Sequence, residues 1–253
     1  MVAAAGVVQA ARGGLVVSRR TFAGIILSPV LLPAAGKFTA ELWSAAGDIY
    51  SRTLQHPFLK GLADGTLPRS RFQFYLQQDA HYLRAFSQAL HLLAAKAPRE
   101  EWALTLGRHA TEAIETERQL HDSILKSYGA TAATVEMAPA NAAYTNHLLA
   151  NVSLKRFASG LAAMLPCYWI YWEVGKELKR RGSKDANCQR WIDQYADPAY
   201  GKSVEAVLSI MDAEAATLSA ADKREARDLF VRSARYEWMF WDMAWREERW
   251  PPG

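Results

Sequence analysis

Cysteine is nearly missing from this chain of 253 residues. Two thiols, Cys167 and Cys188, cannot build a disulfide framework, so both remain available as thiols and stability must come from a buried core. Half of the residues are apolar and 22% are charged, which supports one globular domain with a sizeable core and excludes disorder. Acidic residues are absent from the first 40 positions, where Arg12, Arg19, Arg20 and Lys37 carry the whole formal excess of +4. From Phe38 onward 26 basic side chains are balanced by 26 acidic ones, so the body has no basic stripe for nucleic acid. Strand alternation and internal repeats are missing too.

The acid-free segment 1–37 has the order of a processing signal: an arginine pair, an apolar stretch, then small residues. "SRRTF" followed by "AGIILSPVLLPAA" resembles a twin-arginine export signal, which implies delivery of a folded protein to the periplasm. A mitochondrial presequence and an unprocessed cytoplasmic extension are the alternatives. Pro29 and Pro33 interrupt an apolar stretch already too short for a comfortable span. The mature domain, 38–253, is therefore expected to have no stable membrane insertion.

After the leader the pattern is helical. In "KFTAELWSAAGDIYSRTLQH" apolar residues recur at Phe38, Leu42, Ile49 and Leu54, and Pro57 ends the run. A loop with Gly61, Gly65 and Pro68 is expected next. "RSRFQFYLQQDAHYLRAFSQALHLLAAKA" predicts a helix up to Pro98, and "REEWALTLGRHATEAIETERQLHDSILKSYG" another up to Gly129. "AAYTNHLLANVSLKRFASGLAAML" predicts a helix stopped by Pro166, with a new one, "CYWIYWEVGKELKRRG", running from there to Gly182. "KDANCQRWIDQYA", a helix from about Tyr200 to Thr217 and a last one capped by Ser219, with Asp222 three residues on, complete the series. The expected fold is all-α, about eight helices with short connections.

Three clusters carry candidate chemistry. Pro166 is best tolerated at a helix start, which puts Cys167 in a first turn where the helix dipole lowers a thiol pKa. Tyr171 lies four residues on, on the same face. The competing reading is a core cysteine behind a proline kink. In "QQDAHYLRAF", Asp79 and Tyr82 share a core-facing helix side, where a carboxylate is costly unless paired, either to another helix or to a ligand. In "RYEWMFWDMAW", Glu237 sits among aromatics that should raise its pKa toward an acid/base range, unless an arginine pairs with it. Tyr144 and Tyr195 add aromatic faces suited to a flat heterocycle, or simply to the core.

Four words stand in order across the body: "HPFLKGLADGTLPRSRFQFYLQQDAHYL", "LPCYWIYWEVG", "WIDQYADPAY" and "YEWMFWDMAW". Through them the chain from about Phe38 to Trp250 resembles the TenA family, the thiaminase II or aminopyrimidine aminohydrolase group. The resemblance implies a heme-oxygenase-like helical bundle, commonly a homotetramer, that needs no metal or organic cofactor. It implies hydrolysis of thiamin or of the aminomethyl-pyrimidine from its breakdown, giving the hydroxymethyl pyrimidine. In that scheme Cys167 is the nucleophile that adds to the ring and Glu237 protonates a ring nitrogen. Asp79 binds the amino group and adjacent nitrogen, Tyr82 and Tyr171 flank the thiol, and Tyr144 and Tyr195 line and stack the ring. Retention of Cys167 places the chain with the cysteine-bearing branch.

Two other function classes fit an all-α bundle. "HATEAIETERQLHDS" supplies His109, Glu112, Glu115, Glu117 and His121, which invites a metal or heme oxidase. Glu117 and His121 are four apart, whereas a carboxylate-bridged di-iron site wants three on each of two helices. The second alternative is a ligand-binding or regulatory protein without catalysis.

Overall fold

The computed structural model describes residues 36–131 and 135–252, apart from the side chains of 116–118. The leader expectation thus lies outside the described residues, save for its last two positions. Among the described residues the order is α1 (Phe38–Leu54), α2 (Pro57–Asp64), α3 (Arg69–Ala95), α4 (Glu100–Glu112), a one-turn π-helix (Ala113–Glu117), α5 (Arg118–Ser127), α6 (Pro139–Leu154), α7 (Phe157–Lys179), α8 (Ala186–Tyr195), α9 (Pro198–Ala215) and α10 (Ala220–Arg246). No strand occurs among them, and none of these helices is long and apolar enough to cross a membrane.

Central to the bundle are α7 and α10, packed along one another. Helices α8 and α9 lean on α7, α1 leans on α10, and α6 bridges α3, α7 and α10. Between them lies a continuous core in which Leu161 to Leu165 of α7, Phe230 and Trp241 of α10 and Leu90 of α3 are fully buried. At about 25 cal/mol per Å2 of apolar surface, each large side chain so buried contributes roughly 1.5–3 kcal/mol.

Several boundaries follow from capping chemistry. Ser219 and Asp222 form the expected reciprocal capping box at the start of α10. Asp185 accepts from Asn187 N and Cys188 N to open α8, and Asp197 accepts from Ala199 N to open α9. Where a loop was expected after Pro57, the chain forms α2. Proline at the first helical position costs no hydrogen bond, and His56 Nδ1 accepts from Phe58 N at 3.2 Å as the cap.

A larger correction concerns Pro166. It does not begin a helix: α7 starts at Phe157 and runs through it. The break falls instead at Lys155 and Arg156, where the backbone is extended with ψ of 167° and 163°. Tertiary contacts decide the corner. Lys96 Nζ donates to the terminal carbonyl of Val152 at 2.8 Å and also to that of Lys155. Glu225 of α10 accepts from Lys155 Nζ and Ser159 Oγ, holding both sides of the turn. Gly160 then lets the helices cross closely, since a Cβ there would lie 3.2 Å from Val152 Cα. Inside α7 the proline forgoes the bond to the Ala162 carbonyl, a defect of about 3 kcal/mol in an exposed helix, but here both flanks are buried.

Candidate active site

The helices α3, α6, α7, α8 and α10 each send one or two of the seven candidate residues inward, and all seven meet in one region. The Cys167 thiol of α7 and the Tyr82 hydroxyl of α3 lie within electrostatic reach of one another. Tyr144 of α6 donates its hydroxyl to Glu237 Oε1 at 2.5 Å, and the Tyr82 and Tyr144 rings are 5.2 Å apart. Cys167 and Glu237 each act electrostatically on both tyrosines. Asp79, one turn before Tyr82, acts on Glu237 and on Tyr171. Tyr171 is hydrogen-bonded to Tyr75 at 3.2 Å, and Tyr195 stands 4.9 Å from its ring.

Local devices aim these side chains. Gln78, adjacent to Asp79, is fully buried and accepts from Ala138 N at 2.9 Å and from Asn141 Nδ2, tying the start of α6 to α3. Tyr236 stacks on Tyr144 at 5.2 Å and 10°, and His147 of α6 bonds Ser233 of α10 at 3.0 Å. These contacts fix the register that brings Tyr144 to Glu237. Gly175 performs the same service for Tyr195: a Cβ at that position would lie 2.7 Å from the Tyr195 carbonyl oxygen.

Glu237 is fully buried, and burial pushes its pKa up to about 8, helped by the Asp79 charge and opposed by the Tyr144 hydrogen bond. Its bonding partner is thus a tyrosine rather than the arginine that a structural ion pair would need. At neutral pH the group is a protonated acid beside a thiol. Burial also drives the hydroxyls of Tyr75, Tyr82, Tyr144 and Tyr171 well above the ordinary range, so each is a neutral donor.

Cys167 does not stand at a helix start. The sulfur belongs to the third turn of α7, about 15 Å from its first residue, whereas the dipole acts within one turn. Cys188 is the thiol in a first turn, and there burial and the Asp185 carboxylate raise its pKa to about 12. A helix start is therefore insufficient; the neighbouring groups dominate. For Cys167 those neighbours are Tyr82, Tyr144 and Glu237.

Two buried residues went unassigned in the sequence reading. Tyr75, one turn before Asp79, supplies the bond to Tyr171. His121, noted only as a metal ligand candidate, places Nδ1 3.0 Å from Asp79 Oδ2. The rest of that helix word disperses: His109 bonds Tyr168, Glu112 and Glu115 are exposed, and the Glu117 side chain lies outside the described residues. A buried histidine on a helix otherwise polar nearby was the available signal.

With this geometry in place, comparison with known proteins is decisive. The sequence profile of the TENA/THI-4/PQQC family matches residues 43–247. The chain belongs to that family. Two curated relatives of this TENA/THI-4/PQQC member are each 34% identical to it. Aminopyrimidine aminohydrolase of Bacillus subtilis aligns over 85% of this chain and 92% of its own length. The thiamine biosynthesis multifunctional protein ThiED of Corynebacterium efficiens aligns over 87% of this chain, which spans only 30% of that longer protein. Among solved structures, a TenA homologue from P. horikoshii OT3 superposes with a TM-score of 0.77 at 28% identity, over 83% of this chain and 99% of that one. The architecture is the heme-oxygenase-like bundle.

Proposed function

We propose that this TENA/THI-4/PQQC member is an aminopyrimidine aminohydrolase of the thiaminase II type, acting in thiamin salvage or degradation. The observation that carries the reading is a fully buried Glu237 held by Tyr144, with burial raising its pKa, beside Cys167 and Tyr82. Family membership and the named activity of the Bacillus subtilis relative support it.

In this mechanism the aminopyrimidine lies between the tyrosines, with Asp79 accepting from its amino group. Glu237 delivers its proton to a ring nitrogen as the Cys167 sulfur adds to the ring, which makes the ring a better electrophile for a soft nucleophile. The leaving group departs from the methylene arm, an amine taking up the thiol proton as it goes; water adds to the resulting exocyclic double bond and passes a proton to the departing sulfur, and return of the ring proton to Glu237 restores the aromatic ring. Tyr82, whose hydroxyl lies within electrostatic reach of the thiol, steadies the sulfur as charge develops there. Both thiamin and the aminomethyl-pyrimidine present the same ring to these groups and differ only beyond the methylene.

The direct test replaces the sulfur. Cys167→Ala is expected to lower hydrolysis of both substrates by a thousandfold or more, while binding of the hydroxymethyl pyrimidine and the unfolding temperature stay close to those of the native chain. Retained turnover in the variant refutes a nucleophilic Cys167.

A further inference from the structure

The Asp79 and His121 contact has no place in the steps above. Asp79 is 3% exposed and His121 is 1% exposed, so the two polar groups meet in the interior of the bundle. Nδ1 lies 3.0 Å from Oδ2, but the approach is too bent for a hydrogen bond, and Oδ2, Nδ1 and Nε2 have no hydrogen-bond partner in the described structure. Buried polar atoms left so poorly satisfied are rare in folded proteins and call for a cause. The adjacent rings are the Tyr75 ring, 6.5 Å from the imidazole, and through it Tyr171.

The helix that carries His121 is specially wound. In an unbroken α-helix, His109 and His121 are twelve positions apart and about a third of a turn out of phase. The π-helix at Ala113–Glu117 winds more slowly and recovers roughly a quarter turn. Both histidines are thereby buried on one side, and α5 presents His121 to α3.

We propose that His121 is a positioning residue. It steadies Asp79 Oδ2 across the close Nδ1 contact, so that the carboxylate is kept at the angle from which it receives the amino group of an aminopyrimidine. The inference rests on the functional reading above. It assigns the π turn a purpose, namely bringing a hydrogen-bond donor from α5 to a carboxylate on α3. His121 itself does not touch the substrate; it acts through Asp79.

The test uses the full chain with thiamin and with the hydroxymethyl pyrimidine. His121→Leu removes the donor at similar volume and is expected to raise KM for thiamin tenfold or more, with kcat changed less than threefold, because a binding contact made throughout the reaction is lost. His121→Asn puts an amide nitrogen near the Nδ1 position and is expected to return KM to within threefold of native. Native KM in a folded His121→Leu variant overturns the proposal. Should that variant not fold, nitrogen NMR of 15N-histidine-labelled native chain decides. The His121 signal, identified by its loss in His121→Asn, is expected to show a protonated Nδ1 and to move when hydroxymethyl pyrimidine binds; an unprotonated Nδ1 or an unmoved signal overturns the assignment. A native chain that hydrolyses neither substrate overturns instead the underlying functional reading.

Discussion

Glu237 shows how much one side chain's surroundings determine. In water its carboxyl would be ionised at neutral pH, but full burial and the Asp79 charge hold the proton to about 8. The folded state therefore binds this proton more tightly than the unfolded chain, whose carboxyl titrates near 4.5. Its contribution to stability is fully present below that unfolded value and is lost progressively as pH rises toward about 8. Glu237→Gln removes this dependence. Between pH 5 and pH 8 the unfolding free energy of the variant is expected to gain on that of the native chain, by up to about 4 kcal/mol, in denaturant titrations at several pH values. The same titration governs chemistry. Native kcat/KM is expected to fall on the alkaline side with an apparent pKa near 8, and the residual activity of the variant should lack that limb. The aromatic setting of Glu237 was readable in "YEWMFWDMAW"; its bond to Tyr144, 93 positions away, was not.

Among the helices, α7 separates local from tertiary causes. Proline is the strongest local breaker, and "LPCY" read alone makes Pro166 a helix start. Yet α7 passes through it, because the break is made 11 residues earlier, at Lys155, by the lysine that follows α3 and a glutamate from α10. No spacing rule within the segment can report a donor that arrives from position 96. Gly175 marks the second tertiary decision, the contact of α7 with the end of α8. Gly175→Ala would place a methyl group 2.6–2.8 Å from the Tyr195 and Ala196 backbone, which cannot turn aside as a side chain can. The unfolding temperature is expected to drop by roughly 3–8 °C, with a fall in kcat/KM as Tyr195 shifts. An unchanged melting curve would show that α8 moves freely on α7.

For the molecule as a whole, the even balance of 26 basic and 26 acidic residues from Phe38 on leaves apolar burial as the dominant stabilising term. We further propose that the basic segment 1–37 directs export and that the mature domain assembles as a homotetramer, as the leader pattern and the family resemblance imply. Fractionation of cells producing the full chain, followed by light scattering on the recovered protein, tests both. A processed species in the exported fraction at four times the mass of its chain is expected; a full-length cytoplasmic monomer refutes both.

Composition and periodicity by themselves determined that the domain from Phe38 on is all-α, that it carries an apolar core and that Ser219 opens the last helix, because helix periodicity and side-chain capping are local. The thiol, the acid, the aspartate and the four tyrosines were also legible as chemical types set on core-facing positions. Tertiary structure decided everything that depends on distant partners: that Cys167 lies mid-helix beside Tyr82, that Tyr144 binds the acid, and that a π turn brings His121 to Asp79. A carboxylate or thiol takes its properties from the groups packed within a few ångströms, and here those groups come from five different helices.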